Sequence, residues 1–190
     1  LTLDQRQAEL TKLIRPMPNP VWTCDFTLNY LEKALEGFAK DYGACNLIPD
    51  FQRGHVWTRE QQERFIEALI RGTLPVSCML IQFNCPHWEN HDYRGDLPRE
   101  VQCVDGLQRL TALRKFLRGE INAFGMAVDA FKGTRFDVCR PSYAVKFAMH
   151  TFQTKVELLQ FYLDLNDGGT PHSQAEIARV RAMLNAARAA

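Results

Sequence analysis

The strongest local constraint on this chain is the stretch from Val101 to Arg118. Val101-Gln102-Cys103-Val104 is short and apolar enough to read as a buried strand. Asp105-Gly106 supplies the turn, and Leu107–Leu117 repeats its apolar residues at helical spacing until Gly119 stops it. Any fold must therefore bury the strand and present Asp105 at its carboxyl end, with a helix starting immediately after it.

Other segments fall around this unit. Residues 3–14 read as a short helix, closed by Pro16, Pro18 and Pro20 in an extended surface stretch. Thr27 caps a second helix with Leu28, Leu31, Leu35 and Phe38 on one face and Gly43 beyond its end. Residues 46–57 read as a loop. Thr58 and Gln61 form a capping box for a helix carrying Phe65, Ile66, Leu69 and Ile70, with Gly72 at its stop. Val76–Phe83 is a strand by composition, and the polar residues 84–100 an exposed loop. Short strands are expected around Ile121–Phe124 and Arg135–Val138. Lys155–Leu165 reads as a helix, residues 167–171 as a turn, and Ser173 with Glu176 as the capping box of a last helix.

Composition narrows the class. With 190 residues, 46% hydrophobic and 24% charged, the chain is long enough for one domain with a real core, and ordinary in make-up. Its net charge of +1 means that a nucleic-acid surface must be a local patch, for which 53–71 and 109–118 are the arginine-rich candidates. The six cysteines show no CxxC or zinc-knuckle spacing, so buried free thiols in a reducing cytoplasm are expected. No apolar run is long enough to span a membrane, and the N-terminal residues lack a signal-peptide pattern.

Three stretches carry chemistry. In Val104-Asp105-Gly106-Leu107-Gln108-Arg109, unpaired N–H groups at a helix start make an anion site. Gly106 allows close approach of a ligand to backbone. Arg109 can grip phosphate oxygens in a bidentate manner, and Asp105 can hold Mg²⁺ or act as a base. These are the parts that phosphoryl transfer needs. The same residues also suit an ordinary helix start, with Asp105 as cap, Gly106 as turn and Arg109 on the surface. In Pro49–Trp57, Arg53 can pair with a phosphate, and Trp57 can stack on a base or anchor the loop. His55 there is either a proton carrier or a hydrogen-bonding bystander. In Leu165–Pro171, Gly168-Gly169 can expose backbone to a ligand or simply turn the chain between two helices.

Taken together and in order, Phe51-Gln52-Arg53, Val56-Trp57, Val104–Leu113 and Leu165–Pro171 resemble the DUF262 domain. That domain is the N-terminal part of GmrSD-type modification-dependent restriction enzymes, in the ParB/sulfiredoxin-like superfamily. The resemblance runs from about Pro49 to Glu176. The family signature is Asp-Gly-Gln-Gln-Arg; here Leu107 replaces the first Gln, and Gly54-His55 also depart from the commoner residues.

The resemblance implies an α+β fold of ParB/sulfiredoxin-like type: a small mixed sheet flanked by helices, with a helical C-terminal segment. It divides the chain into N-terminal helices packing on the core (1–45), a nucleotide-binding core (46–150) and C-terminal helices carrying the Asn-Asp-Gly-Gly-Thr-Pro turn (151–190). It implies a DNA-acting, nucleotide-dependent phosphoryl-transfer enzyme. That enzyme is either a kinase placing NTP phosphate on a hydroxyl such as that of a hydroxymethylated base in phage DNA, or a DNA-stimulated NTPase. The alternatives are a nucleotide-switched DNA-binding sensor subunit of a restriction system, and a ParB-like nuclease. No His-Asn-His cluster follows the third motif, so cutting by an attached HNH nuclease is not expected.

Carried onto this sequence, the catalytic residues are Asp105, Gln108 and Arg109, with Asp105 also the metal ligand. The nucleotide falls to Gln52, Arg53, Gly106, Arg109 and Thr111. DNA falls to Arg53, His55, Trp57, Asn166, Gly168 and Gly169. Mg²⁺ and ATP or GTP are the expected cofactors. Double-stranded DNA, with or without modified bases, is the expected partner, with a homodimer as an option. A bacterial or phage-infected cytoplasm is the expected location.

Overall fold

The computed structural model describes residues 1–54, 56–167 and 174–189. His55, Gly168, Gly169, Thr170, Pro171 and Ser173, singled out above, lie outside the described residues. Where caps and glycine stops mark a helix in the sequence, a helix forms. Thr2 and Gln5 close a capping box on α1 (Leu3–Ile14), and Thr58 and Gln61 close one on α3 (Arg59–Arg71), which ends at left-handed Gly72. Thr27 stands before a 3-10 turn, Leu28–Tyr30, without capping it through its side chain; α2 (Leu31–Tyr42) follows. The remaining helices are α4 (Leu107–Leu117), α5 (Lys155–Asp167) and α6 (Gln174–Ala189).

Five strands, β1 (Trp22–Phe26), β2 (Cys45–Asn46), β3 (Leu80–Asn84), β4 (Val101–Asp105) and β5 (Val145–His150), form one mixed open sheet in the order β1-β5-β3-β4-β2. The β1–β5 and β3–β4 pairs are antiparallel; the β3–β5 and β2–β4 pairs are parallel. The fold is α+β, a small mixed sheet flanked by helices with further helices at the C-terminal side.

Three expectations are corrected. The strands expected at 121–124 and 135–138 do not form. Phe124 and Gly125 take positive φ and close a tight turn, leaving one bridge between Ala123 and Met126. The Asp137 carboxylate instead accepts from the backbone of Gly133 and Cys139, holding a turn. The strand of this region is β5. Residues 76–79 are a 3-10 turn after Pro75, and β3 starts only at Leu80. The 84–100 loop, expected to be exposed, buries Cys85, His87, Tyr93 and Leu97. Polar groups there find partners inside the protein: the Tyr93 hydroxyl accepts from Leu97 N and donates to Gln153 O. Segment 1–45 holds β1 and the first residue of β2 as well as helices.

The two sheet faces differ in chemistry. Ile81, Phe83, Val101, Cys103, Val145, Phe147 and Met149 join the larger core with residues of α2, α3 and α4. The alternate positions on the other face include Gln82, Asn84, Gln102 and His150, all buried, beside Val104 and the residues of α5 and α6. All cysteines are free, Cys85 and Cys103 buried and the other four partly exposed. Among the described residues no helix is long and apolar enough to cross a membrane.

Candidate active site

β4 ends at Asp105, where its pairing with β3 shifts by one residue: Cys103 faces Phe83 and Asp105 faces Gln82, leaving Val104 unmatched. A shift of this kind twists a strand end and re-aims its last side chain. The Asp105 carboxylate thereby meets Arg109, Oδ2 to Nη2 at 2.6 Å, one turn into α4. Arg109 also donates to Ser77 O at 3.4 Å. Gly106 links the two with φ +94°, a value that favours glycine. A Cβ at this position would stand 2.6 Å from Ile81 Cδ1 and 3.3 Å from Arg109 Nη2. The space glycine leaves is therefore taken up by β3 and by the guanidinium.

A cavity of about 370 Å³ opens at this corner. It brings together Gln52, Arg53, Trp57, Asp105, Gly106, Gln108, Arg109 and Asn166 from three separate parts of the chain. Among the described residues no side chain caps the N-terminus of α4, so its first N–H groups, with their partial positive charge, belong to this corner. Thr111 is not in the cavity lining. Its hydroxyl donates to Leu107 O at 2.8 Å inside α4, one turn back.

The amides in the site are committed to structure. Gln108 Oε1 accepts from Val56 N (2.9 Å) and Trp57 N (3.1 Å), and its Nε2 donates to Gly54 O (3.1 Å). One side chain thus fixes the arginine loop to α4. Gln52 Nε2 donates to Cys103 O (3.4 Å) and Val104 O (3.3 Å), and its Oε1 accepts from the Tyr162 hydroxyl (3.3 Å). Burial pushes the Tyr162 phenol up to about 12, so it stays a donor at any working pH. Trp57 packs on Phe65 at 5.5 Å between ring centroids, an anchor that leaves it in the cavity wall.

The second guanidinium, Arg53, is held by Glu176 of α6 at 3.5 Å, with both side chains about one-fifth to one-quarter exposed. One turn on, Arg179 donates to Asp50 O (2.6 Å) and Phe51 O (3.0 Å). Tyr162, Glu176 and Arg179 were not expected here. Their only signals are helical spacings, Tyr162 four residues before Asn166 and Glu176 three before Arg179.

The arginine-rich segments carry several ion pairs at their surface. Arg114 and Arg118 share Glu32, Arg59 pairs with Glu63 and Arg64 with Glu60. Among the described residues no three His, Cys, Asp or Glu side chains gather as a metal site.

A model of the GmrSD restriction endonuclease N-terminal domain matches residues 31–140, more than half of the chain. It includes the Phe51–Trp57 loop and the whole of α4, and stops short of Leu165–Pro171. No curated protein and no solved structure matches the chain.

Proposed function

Because the chain belongs to the GmrSD restriction endonuclease N-terminal domain family, we propose that the cavity at the end of β4 binds ATP or GTP and that DNA triggers splitting or transfer of its terminal phosphate. The observation that carries this reading is the convergence of two guanidiniums, an uncapped helix start and one carboxylate on a single cavity. Phosphoryl transfer asks for positioning and positive charge more than for covalent chemistry. Arg109 and the first N–H groups of α4 would hold phosphate oxygens, and Arg53 a further phosphate or the DNA backbone.

Asp105 would accept the proton of the attacking hydroxyl, and its ion pair with Arg109 keeps both groups in place until substrate arrives. The donor set also suits Mg²⁺, which is commonly held by one or two carboxylates together with substrate phosphates. Such an ion would neutralise charge on those phosphates, with Asp105 as its protein ligand. Gln108, with both ends of its amide spent on backbone, is assigned to positioning the arginine loop. Trp57 and Asn166 would meet DNA at the cavity wall.

The test is turnover of γ-³²P-ATP and γ-³²P-GTP with Mg²⁺, alone, with plain duplex, and with duplex containing hydroxymethyluracil or hydroxymethylcytosine. Label on the DNA identifies a kinase; free phosphate released only with DNA identifies a DNA-stimulated NTPase. Absence of turnover in every arm contradicts the proposal. One observation favours a second reading, a nucleotide-switched sensor: both guanidiniums are already paired with carboxylates, one of them on α6, so a bound phosphate would loosen α6 from the arginine loop. That reading expects nucleotide binding without turnover.

A further inference from the structure

The hairpin of α5 and α6 has two sides. One is fixed to the body of the protein: Glu176 holds Arg53, and Arg179 donates to Asp50 O and Phe51 O. The other carries a groove of about 280 Å³, with Gln160, Asp164, Arg181, Asn185 and Arg188 in its lining beside the buried Leu163 and Leu184. At 3.6 residues per turn, Arg181, Asn185 and Arg188 fall on one face of α6, in a row about 10 Å long.

This row has donors to spare. Arg181 and Asn185 are exposed, and their side chains have no hydrogen bond or ion pair among the described residues. Arg188 Nη2 donates to Gln160 Oε1 (2.9 Å), a neutral amide, which leaves its other N–H groups available. Gln160 Nε2 donates in turn to Asp164 Oδ1 (2.7 Å). Two guanidiniums against one carboxylate make the groove positive. Arg59, Arg64 and Arg114 differ, each being paired with a glutamate.

The groove also continues from the first cavity. Leu165 and Asn166 line that cavity, while Leu163 and Asp164, just before them on α5, line the groove. On α6, Glu176 holds the cavity's Arg53, and Arg181 follows little more than a turn later. A polyanion lying across the cavity mouth therefore reaches both.

We propose that this groove is a docking surface for the backbone of double-stranded DNA, with Arg181, Asn185 and Arg188 on its phosphates. A row of donors along a helix suits a repeating anion, and guanidiniums grip phosphate oxygens in a bidentate manner. Such contacts position the duplex and do not read its sequence. The inference rests on DNA being the partner of the proposed reaction, and adds where its backbone lies.

The test is fluorescence anisotropy of a labelled duplex with the full chain, without nucleotide, over a range of salt. The double variant Arg181→Ala, Arg188→Ala is expected to bind about tenfold or more weakly at about 0.1 M salt, and to lower the slope of log K against log salt by about 2. Asp164→Asn keeps an acceptor for Gln160 and removes the negative charge, so it is expected to bind severalfold more tightly, which a merely structural role does not give. Circular dichroism establishes that the variants are folded. A folded double variant that binds as the parent does overturns the proposal. So does a parent that binds no duplex, or one that binds poly-glutamate equally well. DNA binding that depends on these arginines, without nucleotide turnover, keeps this surface and removes the reaction proposed for the first cavity.

Discussion

Gly106 holds the corner of the site by having no side chain. Its φ is +94°, and a methyl group there would come within 2.6 Å of Ile81 Cδ1, which leaves no room for alanine. Gly106→Ala is expected to cost about 1–3 kcal/mol, read as a lower denaturation midpoint. Gln108 acts through three hydrogen bonds to Gly54, Val56 and Trp57. Gln108→Ala is expected to destabilise by about 1–3 kcal/mol and to loosen the arginine loop, seen as faster amide exchange at Val56 and Trp57. Gln108→Glu keeps the acceptor and loses the donor to Gly54, so it should fall between the two. These residues were legible in the sequence because the turn and its neighbours are contiguous. Their jobs were less so, since an amide expected to face substrate turns out to face backbone, and Thr111 bonds within its own helix.

At the scale of elements, local signals were read well and distant ones were not. Thr58–Gln61 defines a helix start within a few residues, and the structure keeps it. β1 and β5 escaped because each becomes a strand only through partners far off in sequence, β1 through β5 more than a hundred residues away and β5 through β1 and β3. β5 is further disguised by Ala148 and His150 on the face where the sheet buries polar groups. The same reason hid the α6 contribution, because Arg53 and Arg179 meet partners that no local pattern links to them. Arg179→Ala is expected to free the Asp50–Arg53 loop and weaken nucleotide binding about tenfold, measured by equilibrium titration. Helix α1 behaves differently. It buries none of its residues, so removing residues 1–14 is expected to change stability by no more than about 0.5 kcal/mol.

For the whole molecule, the polar sheet face sets a pH dependence. His150 is buried, with Nε2 at 3.0 Å from Gln82 Oε1, and burial lowers its pKa to about 4 from the usual 6.5. The folded protein therefore keeps this imidazole neutral while the unfolded chain takes up a proton. Stability from this group is fully present above pH 6.5 and is lost as pH falls towards 4. Across that window the protein should lose about 2–3 kcal/mol more than a folded His150→Gln variant, read from urea titrations at each pH.

The sheet, its two faces and the arginine loop all lead to the corner at Asp105, and the reaction proposed there depends on that carboxylate. The most direct test is DNA-dependent γ-phosphate turnover by Asp105→Ala beside the parent protein, with circular dichroism to establish that the variant is folded. A loss of about a hundredfold or more is expected. A folded variant with full turnover would contradict the assignment of this corner as the active site.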